Sequence, residues 1–376
     1  MRMGKGFSGV LLAMLLGGGI GLGAVHAEPL RVYVGTYTGG DSEGIYLLEF
    51  DPETGSLTHK GLAGAAENPS FLAVHPLVPV IYASAKNADG DATVAMKIDP
   101  GTGLLTPLNS QSAGGSGPCH VAVTPDGQHA AVANYGDGTV SVYPLDKEGT
   151  LGAASSFFQH AGTGPDAKRQ TAPHAHSVNF DDTGRFLVVA DLGIDKLMVY
   201  KREGGAFVPN SPPFVATPAG GGPRHFAFHP SRPYAYVVNE MGNTVTAFRW
   251  DVKTGTLTDI GTVPTLPEGF EGDNTTADIE VHPSGKFVFS SNRGHDSIAA
   301  FAVDQATGKL TPLGQTKSGG VRPRNFTQSP DGRFLLTAHQ DTNDIFVFSI
   351  DTETGTLTAT GAKVEVPSPV CLVFAK

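Results

Sequence analysis

The chain reads as an all-β protein, a seven-bladed β-propeller, on three observations. One pattern recurs along nearly its whole length: an apolar strand, a Pro or Asp turn, a second strand ending in a polar pair, then a third strand leading into Asp-x-x-Thr-Gly-x-Leu-Thr. Clear copies run from Gly222 (GPRHFAFHPSRPYAYVVNEMGNTVTAFRWDVKTGTLT) and from Arg322 (RPRNFTQSPDGRFLLTAHQDTNDIFVFSIDTETGTLT). The turn residues Pro76, Pro125, Asp182, Pro230, Pro283 and Pro330 are spaced by 49, 57, 48, 53 and 47. A period of roughly 50 with several strands per repeat marks a propeller, whose blades cannot bury their faces alone. The third observation is that the two ends of the chain each hold part of one blade.

Taken in order, the first 27 residues read as a cleavable signal peptide. Arg2 and Lys5 supply the positive start, Val10 to Leu22 the apolar stretch, and Val25-His26-Ala27 a small-residue cleavage site before Glu28. The expected location is therefore periplasmic or secreted, with no stable membrane anchor, and residues 28–376 form the propeller. The innermost strands are expected to start near Ser70, Cys119, His176, Arg224, Ala277 and Arg324. The seventh blade is split. Pro369 to Phe374 supplies its inner strand, while Arg31–Gly35, Ile45–Phe50 and Leu57–Lys60 supply the other three. Closing the ring this way removes the open edges of a linear array. Two segments, Ser155–Pro173 and Pro264–Thr276, exceed the repeat just before an inner strand, where extra length crowds a binding face.

Composition narrows the function. A net charge of −10 argues against a nucleic-acid or anionic-membrane surface, and it makes any Arg cluster conspicuous. Cys119 and Cys371 fall on inner strands of blades that are not neighbours, so two free thiols are expected. The expected particle is a monomer or weak dimer.

Inner strands begin on the face where second strands end, so two sets of residues are expected at one mouth. The first holds Cys119-His120, His174-Ala175-His176, Arg224-His225, Asp278 and Arg324-Asn325. The second holds Asn134-Tyr135, Asp191, Asn239-Glu240, Asn292-Arg293 and His339-Gln340. Ordinary turn chemistry accounts for Asn and Asp at the strand ends, and for His75, His229 and His282 on the far face. Arg224 and Arg324 have a structural reading as inter-blade ties. Glu240, between a Val-rich strand and a Met-Gly turn, has few structural reasons to be there. Imidazole and carboxylate suit general acid–base work, and Arg suits an oxyanion or a substrate anion. The combination fits water attacking a strained ester. There is no Gly-x-Ser-x-Gly, no His-Glu-x-x-His and no phosphate loop. No cofactor is expected, and no metal, because the Arg residues among these His would repel a cation.

The motifs GTYTGGDSEGIY, NPSFLAVHP, GPCHVAV, TAPHAHSVNFDDTGRF, GPRHFAFHP, VVNEMGNTVTAF, LPEGFEGDNTTADIEVHPSGKFVFSSNRGHDSI and VPSPVCLVF resemble the lactonase family of seven-bladed propellers. That family includes propeller-type 6-phosphogluconolactonases, muconate lactonizing enzymes and periplasmic gluconolactonases. The resemblance implies a catalytic set of His176, Arg224, Glu240 and Arg293, with Glu240 or His176 as the base. It implies that His174, matching the first His of Pro-His-x-His, and Arg324, Asn325 and Gln340 contact a small lactone. His120, His225 and Asn292 complete the expected substrate-binding set. Ala85-Lys86 and His339 depart from the family pattern on the rim. A sugar lactonase is the leading expectation, with a muconate-type isomerase and a non-catalytic scaffold as rivals.

Overall fold

The computed structural model describes residues 28–375; the expected signal peptide, residues 1–27, lies outside them. Seven four-stranded antiparallel sheets are arranged as blades, each running from an inner strand outwards. The six continuous blades have inner strands Glu67–Val74, Pro118–Val123, Ala175–Phe180, Pro223–Phe228, Thr275–Val281 and Pro323–Gln328. They are numbered one to six here in that order. Blade seven joins Pro369–Ala375 to Leu30–Thr36, Gly44–Phe50 and Leu57–Ala65, as the split pattern predicts. Its seam is in register from Arg31 opposite Ala375 to Gly35 opposite Cys371.

The second strands are apolar runs rather than alternating ones, because each blade is covered on both faces. Every residue of His129–Asn134, Phe186–Asp191, Tyr234–Asn239 and Phe334–His339 is buried. The core is accordingly a set of wedges between blades. Val32, Val34, Leu48 and Phe50 of blade seven pack on Leu336, Ile345 and Val347 of blade six.

The Asp-x-x-Thr-Gly turn, present in five of the blades, seals the wedge at its rim. Asp251 accepts bonds from the amides of Lys253 (2.8 Å) and Thr254 (3.3 Å), and Gly255 follows in the left-handed region (φ 66°). A Cβ there would lie 2.3 Å from the ring of Phe186 in the preceding blade, so only Gly fits. On the far face, His75, His229 and His282 do more than turn the chain. Each donates from Nε2 to a carbonyl of the next blade, Gly127 (3.0 Å), Gly285 (3.0 Å) and Gly332 (2.8 Å) respectively. Both cysteines are free, and burial pushes the Cys119 thiol up to about 12.

One local feature positions the site. In every blade the pairing register slips where the inner strand begins, as between Pro118 and His120, Pro223 and Phe226, Thr276 and Ile279, and Pro323 and Asn325. Such bulges break the in-out alternation and re-aim side chains. Consecutive residues such as Arg224 and His225 are therefore both buried around the axis instead of facing opposite sides of a sheet.

Candidate active site

A cavity of about 560 Å³ opens at the mouth where second strands end. Glu240 lies at its base, on the turn after Tyr234–Asn239. Three guanidinium groups converge on its carboxylate: Arg169 on Oε1 at 2.7 Å, and Arg224 and Arg293 on Oε2 at 3.0 and 2.9 Å. Arg224 and Arg293 are buried and also donate to the carbonyls of Ala277 (2.6 Å) and Thr276 (2.9 Å). Burial alone would raise the Glu240 carboxyl, but Arg293, Arg224 and Arg169 together draw its pKa down to about 2. Glu240 is thus a permanent anion and a poor proton acceptor in the resting site. Burial, with Arg293 and Arg324 nearby, lowers Arg224 to about 9, which leaves it charged at neutral pH.

His176 lines the same cavity. Burial, then Arg224, His225 and Arg324, holds its pKa well below 6.5, so the imidazole is neutral with a lone pair available. Tyr135 meets its ring edge-on at 5.4 Å and stacks on His174 at 4.5 Å. The rest of the lining is cationic. Lys86, Arg169, Arg293, Arg322 and Arg324 face the cavity against only Glu240 and Asp91, on a chain of net charge −10. Arg322 has a loose partner in Asp341 (3.7 Å), and Arg324 lies over the Tyr37 ring at 5.4 Å. Among the described residues, neither Lys86 nor Arg324 has an acidic partner within ion-pairing distance. Unpaired cations gathered in a cleft suit an anionic ligand.

This architecture has a name among known proteins. The family model described as lactonase, seven-bladed β-propeller, matches residues 31–374. The chain belongs to that family. It is 40% identical over 343 residues to a 6-phosphogluconolactonase of Bacillus subtilis, covering 91% of this chain and 97% of that one. A putative 6-phosphogluconolactonase of Bacteroides fragilis superposes with a TM-score of 0.86 at 34% identity, covering 94% of this chain and all of the other. The periplasmic gluconolactonase of Pseudomonas aeruginosa gives 0.86 at 31%, covering 93% and 99%.

The rim that the sequence predicts as one ring divides into two storeys in this lactonase-family protein. His176, Glu240, Arg293 and Arg324 line the mouth cavity, and Arg224 lies directly behind Glu240. His120, His225 and Asn325 instead line a separate chamber of about 350 Å³ together with Asp278 and Glu280. There His225 Nδ1 donates to Asp278 (2.7 Å), Asn325 donates to the same carboxylate (2.5 Å), and His120 stacks on Phe71 at 3.9 Å. Burial raises Asp278 to about 6 and Glu280 to about 8. His174, Asn292 and Gln340 line neither cavity. His174 props Tyr135, donating from Nδ1 to its carbonyl at 2.7 Å. Asn292 is fully buried and spent on Thr265 and Ser297, in keeping with its turn-forming reading. The bulges explain the division, since they turn both members of a pair such as Arg224 and His225 toward the axis at successive depths.

Arg169 is the residue that sequence reasoning missed. It lies in the over-long Ser155–Pro173 segment, of which only Ser156–Gln159 is an outer strand. The remainder brings Arg169 to the cavity and is pinned by buried Gln170, which donates to Leu192 O (2.8 Å) and Asp195 (2.7 Å). The extra length was the available signal. Among the described residues no group of three or more His, Cys, Asp or Glu is placed to hold a metal ion.

Proposed function

We propose that this protein hydrolyses sugar-derived lactones, and that an anionic lactone of the 6-phosphogluconolactone class is its preferred substrate. The observation that carries this reading is the neutral His176 beside a Glu240–Arg224–Arg293 cluster in a cavity with surplus cations. His176 takes the proton from the attacking water as the new C–O bond forms at the lactone carbonyl. Arg293 meets the negative charge that develops on the carbonyl oxygen. Collapse of the tetrahedral species breaks the ring C–O bond, and His176 returns the proton to the departing alkoxide. Glu240 keeps the two buried guanidiniums in place and compensates their charge. Lys86, Arg322 and Arg324 supply the charge that receives a phosphate or carboxylate substituent. The relatives named as 6-phosphogluconolactonases support the substrate class.

The N-terminal segment favours a second substrate, an unphosphorylated aldonolactone met outside the cytoplasm, as the name of the Pseudomonas aeruginosa relative states for that protein. With export, the mature chain starts at Glu28; N-terminal sequencing that reads Met1 on the protein from cells would contradict it.

Replacing His176 by Asn is expected to lower kcat/KM by about 10²-fold or more, the range of a lost general base. The pH profile checks the role independently. A base works in its neutral form, and His176 is neutral above a pKa held below 6.5. Activity should therefore persist as pH falls through 6.5 and decline only below it. A His176→Asn variant within about 3-fold of the native protein would assign the proton to another group.

A further inference from the structure

We propose that Arg169 is a specificity-determining residue that exchanges Glu240 for the anionic substituent of the substrate. The inference rests on the lactonase reading and goes beyond it, by naming the residue that separates anionic from neutral lactones.

The three guanidiniums on Glu240 are not equivalent. Arg224 and Arg293 come from inside the ring, have side chains only 2% and 5% exposed, and are each tied to a backbone carbonyl. Arg169 comes from the over-long segment before blade three, with a side chain 41% exposed, and it donates only to Glu240 and, at 3.2 Å, to the Tyr135 hydroxyl. Its backbone is fixed, through the Asp166 bond to its amide (2.8 Å) and the buried Gln170 beside it. Only the side chain is free to swing.

Energetics favour the exchange. The Arg169 side chain is 41% exposed, so water compensates it as it leaves, whereas a guanidinium meeting a phosphate in two-pronged fashion is among the stronger charge-assisted contacts. Glu240 loses little when Arg169 leaves, because Arg224 and Arg293 still compensate its charge. An anion entering the cavity already meets Lys86, Arg322 and Arg324. Arg169 is the remaining cation that has to let go of an internal carboxylate before it can join them. Glu240 thus acts as a stand-in for the substrate anion. The exchange also leaves Oε1 open to the attacking water. A neutral lactone gives Arg169 nothing to exchange for.

The test compares native protein, Arg169→Gln and Arg169→Lys on 6-phosphoglucono-1,5-lactone and glucono-1,5-lactone, with inorganic phosphate as a competitive inhibitor. The expected result for Arg169→Gln is a fall of about 10-fold or more in the ratio of kcat/KM between the phosphorylated and neutral lactones, carried by KM. The inhibition constant for phosphate should rise by a similar factor, and Lys at this position should recover part of both. A merely structural role would lower both substrates alike. A ratio and a phosphate inhibition constant both within about 2-fold of native would overturn the proposal. Failure of the lactonase reading looks different: the native protein would then turn over neither lactone, and both proposals would fall together.

Discussion

A Glu240→Ala variant is expected to lose about 3–5 kcal/mol of stability together with its activity, the usual result of removing one partner of a buried ion pair. The carboxylate meets three guanidiniums, two of them buried inside the ring. Without it, Arg224 and Arg293 face one another with only the more distant Asp278 acting on Arg224, in a region where burial already weakens Arg224. For a chain of this length the loss corresponds to a drop in Tm of roughly 4–7 °C. Glu240→Gln keeps the shape but not the charge, so it should fall between native and Ala. Added phosphate should restore part of the lost Tm by binding the stranded guanidiniums. A Glu240→Ala protein that melts with the native one would show that the cluster is compensated from elsewhere.

Removing residues 369–376 should have a still larger effect on folding. The inner strand Pro369–Ala375 closes blade seven, pairing with Leu30–Thr36 through its whole length. Val370, Cys371 and Leu372 are buried, and Leu372 N donates to Asn325 Oδ1 at 2.7 Å, joining blade seven to blade six. At about 1.5–3 kcal/mol for each fully buried aliphatic side chain, burial by Val370 and Leu372 alone contributes several kcal/mol. The deletion also exposes the long edge of Leu30–Thr36 and the apolar face that Val34 and Leu48 share with blade six. A domain has only about 5–15 kcal/mol in total, so the truncated chain is expected to show no cooperative thermal transition and to aggregate. A truncated chain that melts cooperatively within about 5 °C of the full one would mean that the ring is closed by something other than this seam.

Much of the molecule was legible before its structure. The blade count, the split seventh blade and the free cysteines follow from a strongly periodic pattern with three strands left over at the start and one at the end. That His176, Arg224, Glu240 and Arg293 meet at one mouth was legible from where inner strands begin and second strands end, while their grouping as a catalytic set came from the family resemblance. What escaped was local geometry. Alternation along an inner strand says that Arg224 and His225 face opposite ways. The bulge at that point places one behind Glu240 and the other in the deeper chamber. For the same reason His120 and Asn325 were assigned to the mouth and lie below it. Arg169 escaped because its place depends on a loop without a repeat to compare, held by the bonds of Gln170 to Leu192 and Asp195. The choice between Glu240 and His176 as base was a question of electrostatics. Only the three converging guanidiniums show why Glu240 is the weaker acceptor.

The central claim is that this cavity opens a lactone with water, and its most direct test is the initial rate of acid release from 6-phosphoglucono-1,5-lactone and glucono-1,5-lactone, beside a His176→Asn control and a no-enzyme blank. The account predicts acceleration above the spontaneous rate on at least one lactone, greater on the phosphorylated one, and lost in the control. Spontaneous rates on both lactones, with the native protein folded and the cavity intact, would contradict it.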